Sequence, residues 1–257
     1  MDSVQKTLYI PLYGKAWVSR RGILLHDPAA EAIWDREGFS LHGKAKSKWL
    51  AYYMGMRAAV YDRWLSEQME ATPKAVVILL GCGLDSRIQR LGCPKGRLWY
   101  DLDLPEVIRE WRRYFAESDG YHMLGADARD SRWLQNVPAD ESALVVMEGV
   151  SMYFRQDELL KLLTSLARHF SSVKLLMDCY TVFAARASKY KNPIQEVGVT
   201  QLYGIDRPET LESGTGLRFT AEKELTPDWL INQLTGFDHI FSGSYSQAPR
   251  QKNLPAV

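Results

Sequence analysis

Apolar positions along this 257-residue chain follow two rhythms, and the change falls near residue 75. From 75 to 180 they gather into short unbroken runs separated by amphipathic stretches. The clearest run is Ala75-Val-Val-Ile-Leu-Leu80, which stops at Gly81-Cys82-Gly83. An apolar run of this length, rich in branched side chains and bounded by glycine, reads as a strand buried on both faces of a parallel sheet. A helix-compatible segment follows, then a second strand, Arg97 to Pro105, closing on Asp101 and Asp103. Tyr121 to Leu124, Ala143 to Met147 and Val173 to Met177 read as three more strands. Helices from Pro105 to Phe115 and from Gln156 to Phe170 lie between them, with Glu106 in the first turn of the former. Strands alternating with helices predict a doubly wound α/β sheet.

Before residue 75 the spacing is helical. Asp27-Pro28 opens a short helix to about Glu37, since proline tolerates the first helical position. A longer helix runs from about Lys46 to Met69, with Leu50, Tyr53, Met54, Tyr61, Trp64 and Leu65 on one face. Arg57 interrupts that stripe, and a charge among aromatics requires an anion. Asp62, five residues on, points elsewhere on a helix, which leaves another acid or a ligand carboxylate. After residue 180 a helix extends to about Tyr190, and a polar, turn-rich stretch follows to Gly216. Leu217 to Thr220 and Phe237 to Phe241 read as a terminal strand pair, one of them antiparallel, around a short helix from Pro227 to Leu234. The tail from Gln247 is polar and Pro-rich and is expected to fray.

Composition narrows the function classes. A net charge of +1 offers no basic face for nucleic acid. No apolar segment approaches the roughly 18 residues of a membrane helix, and the N-terminus has no signal-peptide profile, so a cytoplasmic protein is expected. The three cysteines form neither a disulfide framework nor a metal spacing.

Candidate chemistry collects where the strands end. Asp85, Asp101 and Asp103, Asp127, Glu148 and Asp178 place an acid beyond each of the five strands. One such acid is ordinary turn chemistry, whereas five on one sheet edge predict a site. Gly81 and Gly83 allow a tight turn and a close ligand approach, and an acid ending the second strand suits ribose hydroxyls. Strand, glycine loop, helix, strand and acid make a nucleoside-binding unit. Of the five histidines, His26 beside Asp27 is the candidate general base, and no metal-ligand spacing is present.

Seven stretches together resemble the leucine carboxyl methyltransferase family. They are Ile10-Pro-Leu-Tyr-Gly-Lys-Ala16, Arg57 with Asp62, Leu80-Gly-Cys-Gly-Leu-Asp-Ser-Arg87, Asp101-Leu-Asp-Leu-Pro105, Gly125-Ala-Asp-Ala-Arg-Asp130, Glu148-Gly-Val-Ser-Met-Tyr153 and Tyr203-Gly-Ile-Asp206. The resemblance implies the class I S-adenosylmethionine (SAM) methyltransferase fold, with a seven-stranded sheet. Residues 1–74 would form an N-terminal helical lid, and residues 75–257 the SAM-binding domain, with a cap insertion at about 190–216. It also implies cofactor contacts from Gly81 and Gly83 to the methionine part and from Asp103, or Asp101, to the ribose. Asp127 and Ala128 would meet the adenine, and Glu148 the sulfonium and amino end. Arg57 and Lys15 would meet the carboxylate, and Tyr153 would wall the reacting centre.

The implied reaction is methyl transfer to a carboxylate or hydroxyl of a small-molecule acceptor, leaving S-adenosylhomocysteine (SAH). A protein C-terminal carboxylate is a second acceptor class. Leu79 departs from the polar residue common before the glycine loop, and the region after Asp178 is trimmed. These departures keep a catalytically degenerate SAM-binding protein in view. A nicotinamide-dependent oxidoreductase would call for a third glycine where Ser86 stands.

Overall fold

The computed structural model describes residues 3–41, 43–191, 201–234 and 252–255. Its centre is a sheet of six strands in the order β3-β2-β1-β4-β5-β6. These are β1 (Val76–Leu80), β2 (Trp99–Asp103), β3 (Tyr121–Gly125), β4 (Ser142–Met147), β5 (Ser172–Cys179) and β6 (Lys252–Pro255). The first five are parallel. β6 runs antiparallel on the edge, with Met177 opposite Leu254.

All five residues of β1 are buried, and they alternate between two cores. Val77 and Leu79 face one; Val76, Ile78 and Leu80 face the other. The unbroken run of apolar residues is thus the signature of a strand covered on both sides. The helices α4 (Arg87–Leu91), α5 (Pro105–Trp111), α6 (Gln156–His169) and α7 (Val182–Lys191) complete the wound layers. In α6, Leu159, Leu162, Leu163 and Leu166 form the buried stripe, which joins the second core.

The N-terminal region contributes α1 (Ser3–Ser19), α2 (Pro28–Glu37) and α3 (Lys48–Ala71). Asp27 caps α2 by accepting the Ala30 N–H at 2.9 Å. The three helices do not stand apart from the sheet. Leu12, Tyr61, Trp64 and Leu65 share one core with Val77, Leu79, Val146 and Leu176.

Two expectations for the C-terminal part need correction, and a third falls outside the described residues. Leu217 to Thr220 belongs to no strand of the described sheet. Leu217 and Phe219 pack against the second core, and Phe219 N–H is taken by Glu212. The alternation there marks a covering segment, not a ladder. The tail expected to fray supplies β6, where Pro255 is tolerated because the strand is at the edge. The seventh strand, expected at Phe237 to Phe241, lies outside the described residues. A helix near Pro227 forms as α8 (Asp228–Ile231). No helix among the described residues is long and apolar enough to cross a membrane.

Candidate active site

The carboxyl edge of β1, β2 and β4 opens into a cavity of about 450 Å³, roofed by α1 and α3. That volume lies within the range of small-molecule sites. Its floor is the turn after β1. Gly81 and Gly83 have φ of +66° and +56°, a left-handed backbone that glycine adopts without strain. A Cβ on Gly81 would fall 2.4 Å from Val150 Cγ2.

Asp103 closes one side. Its Oδ2 accepts the Gly83 N–H at 2.8 Å and its Oδ1 the Leu104 N–H at 2.7 Å. Burial nevertheless pushes its carboxyl up to about 6. Asp127 and Ala128 line the cavity beyond it. The Asp127 carboxyl is held below its ordinary value by hydrogen bonds from Arg129. Asp101 does not reach the cavity. It shares a strand face with Asp103 but sits two residues deeper, where it accepts from Trp99 Nε1 (2.8 Å), Trp111 Nε1 (3.3 Å) and the Tyr121 hydroxyl (2.7 Å). Its role is to satisfy buried donors.

At the other end lies a buried charge cluster. Glu148 bridges two guanidinium groups, accepting from Arg57 Nε at 2.9 Å and Arg87 Nη2 at 2.5 Å. Arg57 Nη1 is 3.5 Å from Asp178, which also accepts the Gly149 N–H at 2.6 Å. Gly149 leaves room for this packing, since a Cβ there would lie 3.1 Å from Arg57 Nη1. Lys15 Nζ meets Asp85 at 2.7 Å. Asp62 pairs with Arg87 (2.6 Å) and Arg90 (2.7 Å), and Asp27 with Arg90 and Ser86.

The anions that the Arg57 stripe demanded are therefore two protein carboxylates, Glu148 and Asp178. Of the two alternatives left open for Arg57, another acid or a ligand carboxylate, the described residues supply the first. Burial pulls the Arg57 guanidinium down, but both carboxylates outweigh it and raise it above its ordinary value. Burial likewise pushes the Glu148 carboxyl up, and Arg57 and Arg87 overcome it and hold the group ionised. In Asp178 burial wins over Arg57, and its carboxyl is raised.

The third wall is apolar and aromatic: Val150, Met152, Tyr153, Phe154 and Tyr180 from beyond β4 and β5, with Leu50, Tyr53 and Met54 from α3. The Tyr203-Gly-Ile-Asp206 stretch braces it. Tyr203 N–H donates to the Met152 carbonyl, Ile205 N–H to that of Tyr180, and the Asp206 carboxylate accepts from Val182 N–H. Burial pushes the Tyr153 hydroxyl up to about 12. His26 is exposed and outside the cavity lining, so it does not serve as the base. Among the described residues no histidine lines the cavity.

Of the residues singled out in sequence, Lys15, Arg57, Gly81, Gly83, Asp103, Asp127, Ala128, Glu148 and Tyr153 converge on this one cavity, and Asp101 and His26 do not. Sequence reasoning missed Tyr53 as a polar wall residue, because it reads as one more member of the apolar stripe. It missed Arg90 as well, which looks like a surface charge on a short helix.

A doubly wound parallel sheet with a glycine turn after β1 and an acid ending β2 defines a nucleoside-binding α/β protein of the class I methyltransferase type. Geranyl diphosphate methyltransferase, solved with GPP and sinefungin, superposes with a TM-score of 0.52 at 14% identity, covering 96% of this chain and 98% of that one. Magnesium protoporphyrin IX methyltransferase of Synechocystis, solved with SAM, gives 0.50 at 13% identity, covering 88% and 89%. Both likenesses are of fold. The family model of leucine carboxyl methyltransferase matches residues 10–167. The tetracenomycin polyketide synthesis O-methyltransferase of Streptomyces glaucescens is 33% identical over 85% of this chain and 82% of its own. A SAM-dependent methyltransferase of Gibberella zeae is 28% identical over 85% and 81%. The chain belongs to the leucine carboxyl methyltransferase family and is a SAM-dependent O-methyltransferase.

Proposed function

We propose that SAM lies along the sheet edge with its adenosine over β2 and β3, and that the methyl acceptor is a small, largely apolar molecule offering a carboxylate or hydroxyl oxygen. The observation that carries this reading is that the lining residues follow the strand order β3-β2-β1-β4: Asp127 and Ala128 beyond β3, Asp103 on β2, the Gly81–Gly83 turn after β1, and Glu148 with Arg57 beyond β4. That order follows adenine, ribose, thioether and amino-acid end. The residues fit the cofactor chemically. Asp103 has each oxygen oriented by one backbone N–H and retains acceptor capacity for a ribose diol. Ionised Glu148 suits an ammonium, and Arg57 and Lys15 suit a carboxylate.

SAM supplies a methyl group already activated on a sulfonium for in-line displacement. The chain's own task is alignment and exclusion of water, worth about 7–11 kcal/mol of barrier. The aromatic wall of Tyr153, Phe154 and Tyr180, joined by Met54 and Leu50 of α3, favours an aromatic or otherwise flat acceptor. The polyketide relative supports the same class. With the Tyr153 hydroxyl kept neutral at about 12 and no histidine among the described residues of the lining, the acceptor oxygen is best supplied as an anion. A carboxylate meets that condition and needs no base.

The test is incubation of the protein with SAM and matched aromatic carboxylic acids, acidic phenols and simple alcohols, followed by mass spectrometry. Methyl esters or ethers of the first two groups, formed with stoichiometric SAH, are expected. SAM binding without transfer to any acceptor would return the chain to a binding role.

A further inference from the structure

We propose that Tyr53 is a cofactor-positioning residue whose hydroxyl, together with Arg57, binds the carboxylate of the SAM amino-acid end. The inference rests on the cofactor reading above and adds to it a residue that the sequence pattern assigns to packing.

Tyr53 lines the cavity, yet its hydroxyl is buried and makes no hydrogen bond. Buried hydroxyls are almost always partnered, and an orphan is disfavoured unless a ligand completes it. Arg57 stands one helical turn further along α3, on the same face. Its Nε and Nη1 take Glu148 and Asp178, while among the described residues no acceptor is hydrogen-bonded to its Nη2. Two donors without acceptors on successive turns, both lining one cavity, match the two oxygens of a carboxylate. Burial, helped by Asp178, Tyr180 and Glu148 against Arg57, raises the Tyr53 hydroxyl far above its ordinary value. It therefore stays protonated and acts only as a donor to an anion. The helix brings both groups to the β4 end of the site, beside Glu148, where the amino-acid end of SAM lies in the order given above.

The experiment compares wild type with Tyr53→Phe by calorimetry, using SAH and 5′-methylthioadenosine. The second nucleoside keeps the adenine, ribose and thioether but lacks the amino acid. The variant is expected to bind SAH about 10- to 100-fold more weakly, the scale of one hydrogen bond to a charged group. Its affinity for methylthioadenosine should be unchanged. Because the substitution removes an unpartnered hydroxyl, the melting temperature without ligand should hold or rise. SAH binding equal to wild type overturns the proposal and would place the hydroxyl with an acceptor carboxylate instead. Equal weakening of both nucleosides overturns it as well, since that reports general damage. If the wild type binds neither nucleoside, the cofactor reading itself fails, and this inference falls with it.

Discussion

Arg57 on α3 and Glu148 at the end of β4 are 91 residues apart and meet through an N–H···O bond of 2.9 Å. Glu148 also holds Arg87, so one carboxylate ties an N-terminal helix and the start of α4 to the sheet edge. Removing one partner of a buried pair strands the other charge and costs about 3–5 kcal/mol. Arg57→Met should therefore lower the melting temperature and weaken SAH together. Glu148 keeps Arg87 in that variant, but Asp178 loses its cation, so Arg57→Met combined with Asp178→Asn should recover part of the stability and none of the affinity. A double-mutant cycle read by thermal unfolding and calorimetry separates the two. Recovery of SAH affinity in the double variant would show that Arg57 acts on the fold alone.

Asp103 makes cofactor binding pH-dependent. Its carboxyl is raised to about 6 by burial, above the ordinary value, so the folded chain holds the proton more tightly than the unfolded one. The associated stability is present below about pH 4 and is lost as pH rises through 6. Binding runs the other way, because ribose hydroxyls donate best to the ionised acid. SAH affinity should fall toward about tenfold per pH unit below 6 and level off above it. In Asp103→Asn the affinity should be low and nearly flat with pH. A wild-type profile flat from pH 5 to 8 would remove Asp103 from the ribose role.

Asp101 separates structure from function. Its carboxyl too is raised to about 6 by burial, but its three donors come from Trp99, Trp111 and Tyr121, under the sheet. Asp101→Asn should cost about 1–3 kcal/mol of stability, because it turns an amide N–H toward buried donors. The SAH affinity of the folded protein should stay near wild type, measured by calorimetry at a temperature well below unfolding.

The contrast between these two aspartates shows how far the sequence reading reached. The strand ends and the glycine turn were legible because apolar runs bounded by glycine leave few alternatives. Asp101 and Asp103 were not separable, since two residues on one strand share a face and differ only in depth. Likewise, the helix position of Arg57 was legible, but its partners lie 91 and 121 residues away. Such pairings follow from topology, which no local spacing encodes. Tyr53 was hidden for the opposite reason: an aromatic on an apolar face satisfies the packing pattern whether or not its hydroxyl is used.

Gly83 carries a stricter demand than ligand approach. Its φ of +56° disfavours any side chain, and a Cβ would meet Leu8 Cδ2 of α1 at 3.1 Å. Gly83→Val should thus abolish SAH binding and also cost about 1–2 kcal/mol of stability from backbone strain. Calorimetry and urea unfolding check both; unchanged affinity would mean that the turn serves the fold alone.

Access to the site is the final question, since Lys15, Ile10, Pro11 and Leu8 place α1 across the cavity. The helices α1 and α3 share one core with β1, β4 and β5 and are unsuitable moving parts. Residues 201–206 are the better candidate, since they reach the acceptor wall through the backbone bonds of Tyr203 and Ile205. Segments held by a few polar contacts open at lower free energy than core elements. Adding SAH should therefore slow amide exchange in 201–211, and leave α1, α3 and β1 to β5 nearly unchanged. Protection confined to the strands would mean that the cavity fills by small side-chain movements alone.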